Sequence, residues 1–231
     1  MTGVILTGGK GSRLGLRTLY QPKAMVDIEG EPMISYVIDN LVWNPGLDKI
    51  VILLGENSQS LMTYVRLYTK NQLAKVSYVY DPLACGIVHT LKSIPLDLNE
   101  RYIVAYCDTI LDFNTLMRMK IEEEKDTTIL YKKVDDVTPY GTVSTDDGIV
   151  TFKEKEDRGP GNALLGYMLF PGNVLDYGLR NSPDSASMPD MLQCIVSRYR
   201  IKLMEFTGAF ADAGTPIGLK LAAEIVRCNG S

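Results

Sequence analysis

Along the first 133 residues, apolar runs of strand length alternate with segments of helical period, and few folds accept that pattern. Residues 4–7, 49–54, 76–80, 102–107 and 128–132 read as strands. Between them, residues 32–42 set Met33, Ile34, Val37, Ile38 and Leu41 on one stripe, with Pro32 suited to the first helical turn. Residues 58–70 and 89–93 supply the next two crossovers, and 114–125 reads as a helix capped by Asn114 with a solvated acidic end. Such alternation predicts an α/β fold around a largely parallel sheet. After residue 133 the pattern changes. Residues 140–155 form two alternating runs around Asp146, Asp147 and Gly148, the mark of a β-hairpin. Residues 161–170 read as a buried strand, and 215–228 as a last amphipathic helix that turns Ile217, Leu221, Ala222 and Ile225 inward. The chain is read as one domain over 1–231, with a first half to residue 133 and a second half from 134.

Composition narrows the function. A net charge of -4 argues against a nucleic-acid or anionic-membrane binder, so any anion must be held by a local constellation. Four dispersed cysteines without a CxxC pair, and a lone His89, suggest neither a zinc site nor a disulfide framework. The reduced cytoplasm is the expected compartment. The N-terminus lacks the pattern of a signal peptide, and no apolar stretch has the length of a membrane span. No further domain is expected after the last helix, because no hexapeptide repeats occur. Self-association is left open.

The informative stretch is GVILTGGKGSRLGLRTLYQPK, residues 3–23. Glycines after a first strand let backbone N–H groups approach phosphate oxygens, although a plain tight turn would also use them. A Walker A loop is excluded because Lys10 precedes Gly11 and Ser12. The dinucleotide fingerprint lacks its third glycine, and it has no use for the cations that trail the loop, even with Asp27 where a ribose-binding acid would stand. Arg13 offers a planar fork for paired phosphate oxygens, and Lys23 a movable point charge. Together with backbone amides they make a polyphosphate clamp.

This GGxGxRL loop followed by PK resembles the signature of the sugar-phosphate nucleotidyltransferases, the nucleoside-diphosphate-sugar pyrophosphorylases. Later motifs follow in the same order. The resemblance implies a Rossmann-like GT-A-type fold, with a mixed, mostly parallel central sheet flanked by helices and a small β-hairpin sugar-binding lobe. It makes 1–133 the nucleotide-binding half and 134–231 the sugar-phosphate-binding half. Leu6, Gly8, Gly9, Gly11, Ser12, Arg13 and Lys23 would hold the nucleotide, joined by Pro82 and Gly86 of DPLACGIVHT, which resembles the base-recognition loop. Asp108 in YIVAYCDTI and Asp212 in FADAGTP match the two Mg²⁺ carboxylates, with Phe210 standing where the family has tryptophan. Gly141 of YGTV, Glu154 and Lys155 of FKEK, and Asn162 of NALLGYMLF would meet the sugar phosphate; Met168 replaces a family tyrosine. His89 is read as structural.

The implied reaction joins a nucleoside triphosphate and a sugar 1-phosphate into a nucleotide-sugar and pyrophosphate. Arg13, Lys23 and Lys155 would be the catalytic cations and Mg²⁺ the cofactor. Two alternatives stay open: a cytidylyltransferase acting on choline phosphate or another small phosphoalcohol, and a silent regulatory subunit that binds nucleotide sugar. A molybdopterin nucleotidyltransferase is disfavoured, since it would carry Ser for Gly11 and an acid before the lysine.

Overall fold

The computed structural model describes the chain apart from residues 10, 71–73, 82, 84, 156 and 230–231. Its first half is built as the alternation requires. Strands β1 (Thr2–Leu6), β2 (Asp27–Ile28), β3 (Glu31–Pro32), β4 (Lys49–Leu54), β5 (Lys75–Tyr80), β6 (Arg101–Tyr106), β7 (Thr109–Leu111) and β8 (Thr127–Val134) are joined by helices α1 (Met33–Val42), α2 (Gln59–Tyr68), α3 (Ile87–Lys92) and α4 (Phe113–Met119). The second half adds β9 (Gly141–Asp146), β10 (Ile149–Glu154), β11 (Gly161–Pro171), α5 (Gly172–Asn181), α6 (Met188–Val196), β12 (Ile201–Glu205), β13 (Phe210–Asp212) and α7 (Pro216–Asn229).

One mixed nine-stranded sheet draws on both halves, in the order β10-β9-β11-β6-β1-β4-β5, with β8 beside β11 and β12 beside β8. β1 lies parallel between β4 and β6, so Leu6 faces Leu53 on one side and Tyr106 on the other. Three strand ends thereby open on one edge, where α/β sheets seat their ligands. β11 runs antiparallel to β6, β8 and β9.

Side-chain alternation feeds two cores. Ile5, Ile52 and Ile103 join the layer that packs α1 and α7, whereas Val4, Val51 and Val104 join the layer under α3, α5 and α6. These side chains are completely or almost completely buried, each contributing about 1.5–3 kcal/mol of transfer free energy. The hairpin of β9 and β10 turns at Asp147 and Gly148, both at positive φ, the conformation that a two-residue connection between twisted strands demands.

Three local expectations are corrected. Pro32 precedes α1 with ψ 141°, and Met33 is the first helical residue. α4 is capped by Asp112, whose carboxylate accepts the Thr115 N–H, not by Asn114; it stops at Met119 because Lys120 adopts positive φ. On α7 the buried positions are Gly218, Ala222 and Ile225, while Ile217 and Leu221 are exposed, so the stripe is rotated from the expected one.

Candidate functional site

The chain leaves β1 through Thr7, whose hydroxyl donates to the Leu53 carbonyl at 2.5 Å. Gly8 and Gly9 follow with open space where a Cβ would stand, so the backbone there is approachable. Gly11 is needed for another reason. Its φ is 61°, and a Cβ would fall 2.7 Å from Thr18, whose hydroxyl closes the loop on the Gly11 carbonyl at 2.9 Å. Ser12–Thr18 then winds as 3-10 turns, with Ser12 and Arg13 exposed and Leu14 buried as the anchor. Leu6 itself sits in the second core layer.

Pro22 enters the 3-10 turn Lys23–Met25 and directs Lys23 inward, where it is 8% exposed. Its ammonium lies directly against the Asp108 carboxylate, just past the end of β6. Burial alone would lower the Lys23 pKa, but Asp108, Cys107 and Asp212 reverse that and hold it above the ordinary lysine value. The cation is therefore fixed.

A separate two-stranded ribbon completes the arrangement. β7 and β13 pair antiparallel with Thr109 opposite Asp212, and the Ala213 N–H donates to the Asp108 carbonyl at 2.8 Å. Asp212 accepts the Gly214 N–H on Oδ1 at 2.9 Å and faces Arg13 Nη1 through Oδ2 at 3.8 Å. Two carboxylates from distant chain positions thus stand beside two cations. Gly214 was not anticipated as a site residue. A Cβ there would strike the Lys23 ammonium and lie 2.8 Å from Asp212 Oδ1, which explains the glycine that follows the aspartate in FADAGTP.

Two cavities meet at this cluster. The larger, about 950 Å³, is bordered by Gly8, Gly9, Gln21, Lys23, Gly55 and Leu83. The smaller, about 170 Å³, is bordered by Arg13, Asp108, Asp212, Gly141, Glu154 and Lys155, with Met168 and Leu164 on its wall. Lys155 follows β10 at φ 53° and pairs with Glu154 at 3.1 Å. Gly141 lets Pro189 approach, since a Cβ would lie 2.8 Å from its ring. Tyr140 packs on Phe210 with ring centroids 5.7 Å apart. Gly86 stands at the cap position just before α3 at φ 151°, where a Cβ would meet the Asp184 carbonyl at 2.9 Å.

Most expected residues are therefore gathered around one place. Asn162 is not: its amide donates to the Val143 carbonyl at 3.1 Å, and Leu164 takes the wall position. Pro82 lies outside the described residues. Among the described residues no group of three or more His, Cys, Asp or Glu is placed to hold a metal ion by itself, and no helix is long and apolar enough to cross a membrane.

Known proteins share this build. The chain is 28% identical over 226 residues to the catalytic subunit beta of mannose-1-phosphate guanylyltransferase of Dictyostelium discoideum, covering 94% of this chain and 62% of that one. It is 27% identical over 221 residues to D-glycero-alpha-D-manno-heptose 1-phosphate guanylyltransferase of Campylobacter jejuni, covering 94% and 96%. The chain thus spans about three-fifths of the first relative and nearly all of the second. The crystal structure of a UDP-glucose pyrophosphorylase complexed with UDP-glucose superposes with a TM-score of 0.82 over 98% of each chain at 20% identity, a likeness of fold. The nucleotidyl transferase family pattern matches residues 2–225, and with that span the chain belongs to the nucleotidyl transferase family.

Proposed function

We propose that the protein transfers a nucleotidyl group from a nucleoside triphosphate to a sugar 1-phosphate, releasing pyrophosphate and forming a nucleoside-diphosphate sugar. The observation that carries this reading is the Lys23–Asp108 and Arg13–Asp212 cluster on the border between two cavities. The larger cavity, bordered by the open glycines, would take the triphosphate. The smaller one, bordered by Glu154 and Lys155, would take the sugar phosphate.

The acceptor phosphate is already a nucleophile, so no serine or cysteine need be activated. The protein's part is alignment and neutralisation of charge. Lys23 is pinned where the cavities adjoin, which suits it to charge that redistributes at the α-phosphorus. Arg13 is suited to the leaving pyrophosphate, and Lys155 to the acceptor's phosphate. For the buried Lys23 the cost of ordering is met on folding, before substrate arrives.

A magnesium ion fits the donor set. Asp108 and Asp212 are hard oxygen donors and partly exposed, and Mg²⁺ commonly takes one or two carboxylates with substrate phosphates. Bound there, the metal would neutralise phosphate charge as a Lewis acid. Asp108 and Asp212 would hold it.

Pyrophosphate release measured across a matrix of four nucleoside triphosphates and several sugar 1-phosphates tests the reading. Turnover should depend on both substrates and leave a nucleoside-diphosphate sugar detectable by mass spectrometry. Release without any acceptor, or preference for choline phosphate over every sugar phosphate, would overturn it.

A further inference from the structure

Along β11, Leu165, Tyr167 and Leu169 enter one core layer, while Leu164, Gly166 and Met168 take the opposite face and border the small cavity. Two large apolar side chains thus flank a residue that has none. β6 runs antiparallel alongside with Ala105 opposite Tyr167, so the next step along the two strands brings Tyr106 to Gly166. A Cβ at 166 would lie 2.6 Å from both Cβ and Cγ of Tyr106 and 2.5 Å from Thr109 Oγ1. The gap in β11 is filled from its neighbour: the root of the Tyr106 side chain takes the room that a side chain at 166 would need.

Much of the cavity wall cannot serve a hydroxyl group, since Ile87, Leu164 and Pro189 are apolar. Glu154 is paired with Lys155, and Arg13 faces Asp212. The neutral polar side chains on the wall are Tyr106, Thr109 and Tyr140, and Tyr140 is packed against Phe210. No described residue hydrogen-bonds the Tyr106 hydroxyl. Among the described residues, the unpartnered side-chain oxygens that are sealed from solvent belong to Glu100, Thr127 and Ser182, so the Tyr106 oxygen is open to the cavity that its residue borders.

A phenol donates one hydrogen bond and accepts others, which is what a sugar hydroxyl needs from a partner, and a side chain held at its root has little freedom left to lose. We propose that Tyr106 is a specificity-determining residue for the acceptor: seated in the gap that Gly166 leaves between Leu164 and Met168, its hydroxyl binds one ring hydroxyl of the sugar 1-phosphate. The inference rests on the small cavity being the sugar-phosphate site. It adds to that site a contact made from β6, the strand that leads into Asp108, and gives Gly166 a role in shaping which acceptor fits.

The test uses the full chain, the sugar 1-phosphate with the highest kcat/KM, and the set of analogues that each lack one hydroxyl of that sugar. Tyr106→Phe keeps the ring and its packing and removes only the oxygen. It should lower kcat/KM for the parent sugar phosphate about tenfold, the scale of one neutral hydrogen bond, with KM for the triphosphate little changed. One deoxy analogue should be handled alike by the native and Tyr106→Phe enzymes, whereas the others should lose about as much as the parent does, because only that analogue already lacks the contact. Gly166→Ala, which crowds the root of Tyr106, should erase the native enzyme's preference for the parent over that same analogue and leave Tyr106→Phe no preference to lose. A Tyr106→Phe enzyme that loses nothing toward the parent, or loses equally toward every analogue, overturns the assignment while nucleotidyl transfer stands. A native protein that accepts no sugar 1-phosphate at all overturns the proposed function and this assignment with it.

Discussion

The Lys23 ammonium rests on the Asp108 carboxylate across a separation of 85 residues, and this contact ties the glycine loop to the end of β6. Neither side chain is free to wander. A lysine that is buried and ion-paired in the folded chain is already where a triphosphate would need it, so little ordering remains for the substrate to impose.

Removing one partner should cost more than removing both. Lys23→Met is expected to lower unfolding free energy by about 1–3 kcal/mol, because it leaves Asp108 charged without its counter-ion. Lys23→Met combined with Asp108→Asn should recover much of that loss in urea denaturation while activity stays absent. A double variant no more stable than Lys23→Met would show that the pair has no energetic coupling.

The buried Lys23 and the exposed Lys155 should fail differently. Lys155→Ala is expected to raise KM for the sugar phosphate about tenfold or more, the scale of one lost charge-assisted bond, with KM for the triphosphate little changed. Lys23→Ala should act mainly on kcat. Steady-state kinetics against both substrates separates them; a Lys155→Ala enzyme impaired only toward the triphosphate would refute the assignment of the small cavity.

Asp39 gives a pH prediction away from the site. Burial raises its carboxyl above the ordinary value of 3.8, only partly countered by the hydrogen bond that Tyr68 donates. A raised folded pKa means that stability present below pH 3.8 is lost as pH rises through the folded value, so the ionised group costs stability at neutrality. Asp39→Asn, which can still accept from Tyr68, should raise the melting temperature at pH 7 by the equivalent of about 1 kcal/mol or less. The gain should vanish near pH 3. A destabilised variant at pH 7 would contradict it.

Gly218 sits inside α7, where alanine is ordinarily better by about 1 kcal/mol. Here a Cβ would overlap the Asp212 carbonyl. Gly218→Ala should therefore lower both melting temperature and turnover by pushing α7 off β13. An active, more stable variant would show that the helix can shift without moving Asp212.

What could be read from the sequence follows physical scale. The 49–54 strand is found at its expected bounds, because the five-residue apolar run Ile50–Leu54 between Asp48-Lys49 and Gly55 leaves little choice. Asp108 and Asp212 were legible as chemistry, but the ribbon that brings them together was not, since three-residue strands carry no period to detect. Asn162 shares the parity of Leu164 along β11, yet β9 crosses at Ala163, paired with Thr142, and the Val143 carbonyl takes the amide. Alternation tells which way a side chain points; it does not tell which strand ends beside it. The exposed Ile217 and Leu221 teach the same for α7, where the choice between overlapping apolar stripes is made by the close seat of Gly218 on Asp212.

β11, eleven residues long, pairs with β6 of the first half over Tyr167–Pro171, with β8 between Gly161 and Leu169, and with β9 of the second half at Ala163. Its ladder bonds tie the two halves together, so they cannot swing apart as rigid bodies without tearing backbone hydrogen bonds. Any closing over substrate must then be local, carried by the Ser12–Thr18 turns and the β9–β10 hairpin, each hung from a frame that stays still. The radius of gyration in solution scattering should therefore hardly change on saturation with both substrates, while amide exchange in those two segments should slow.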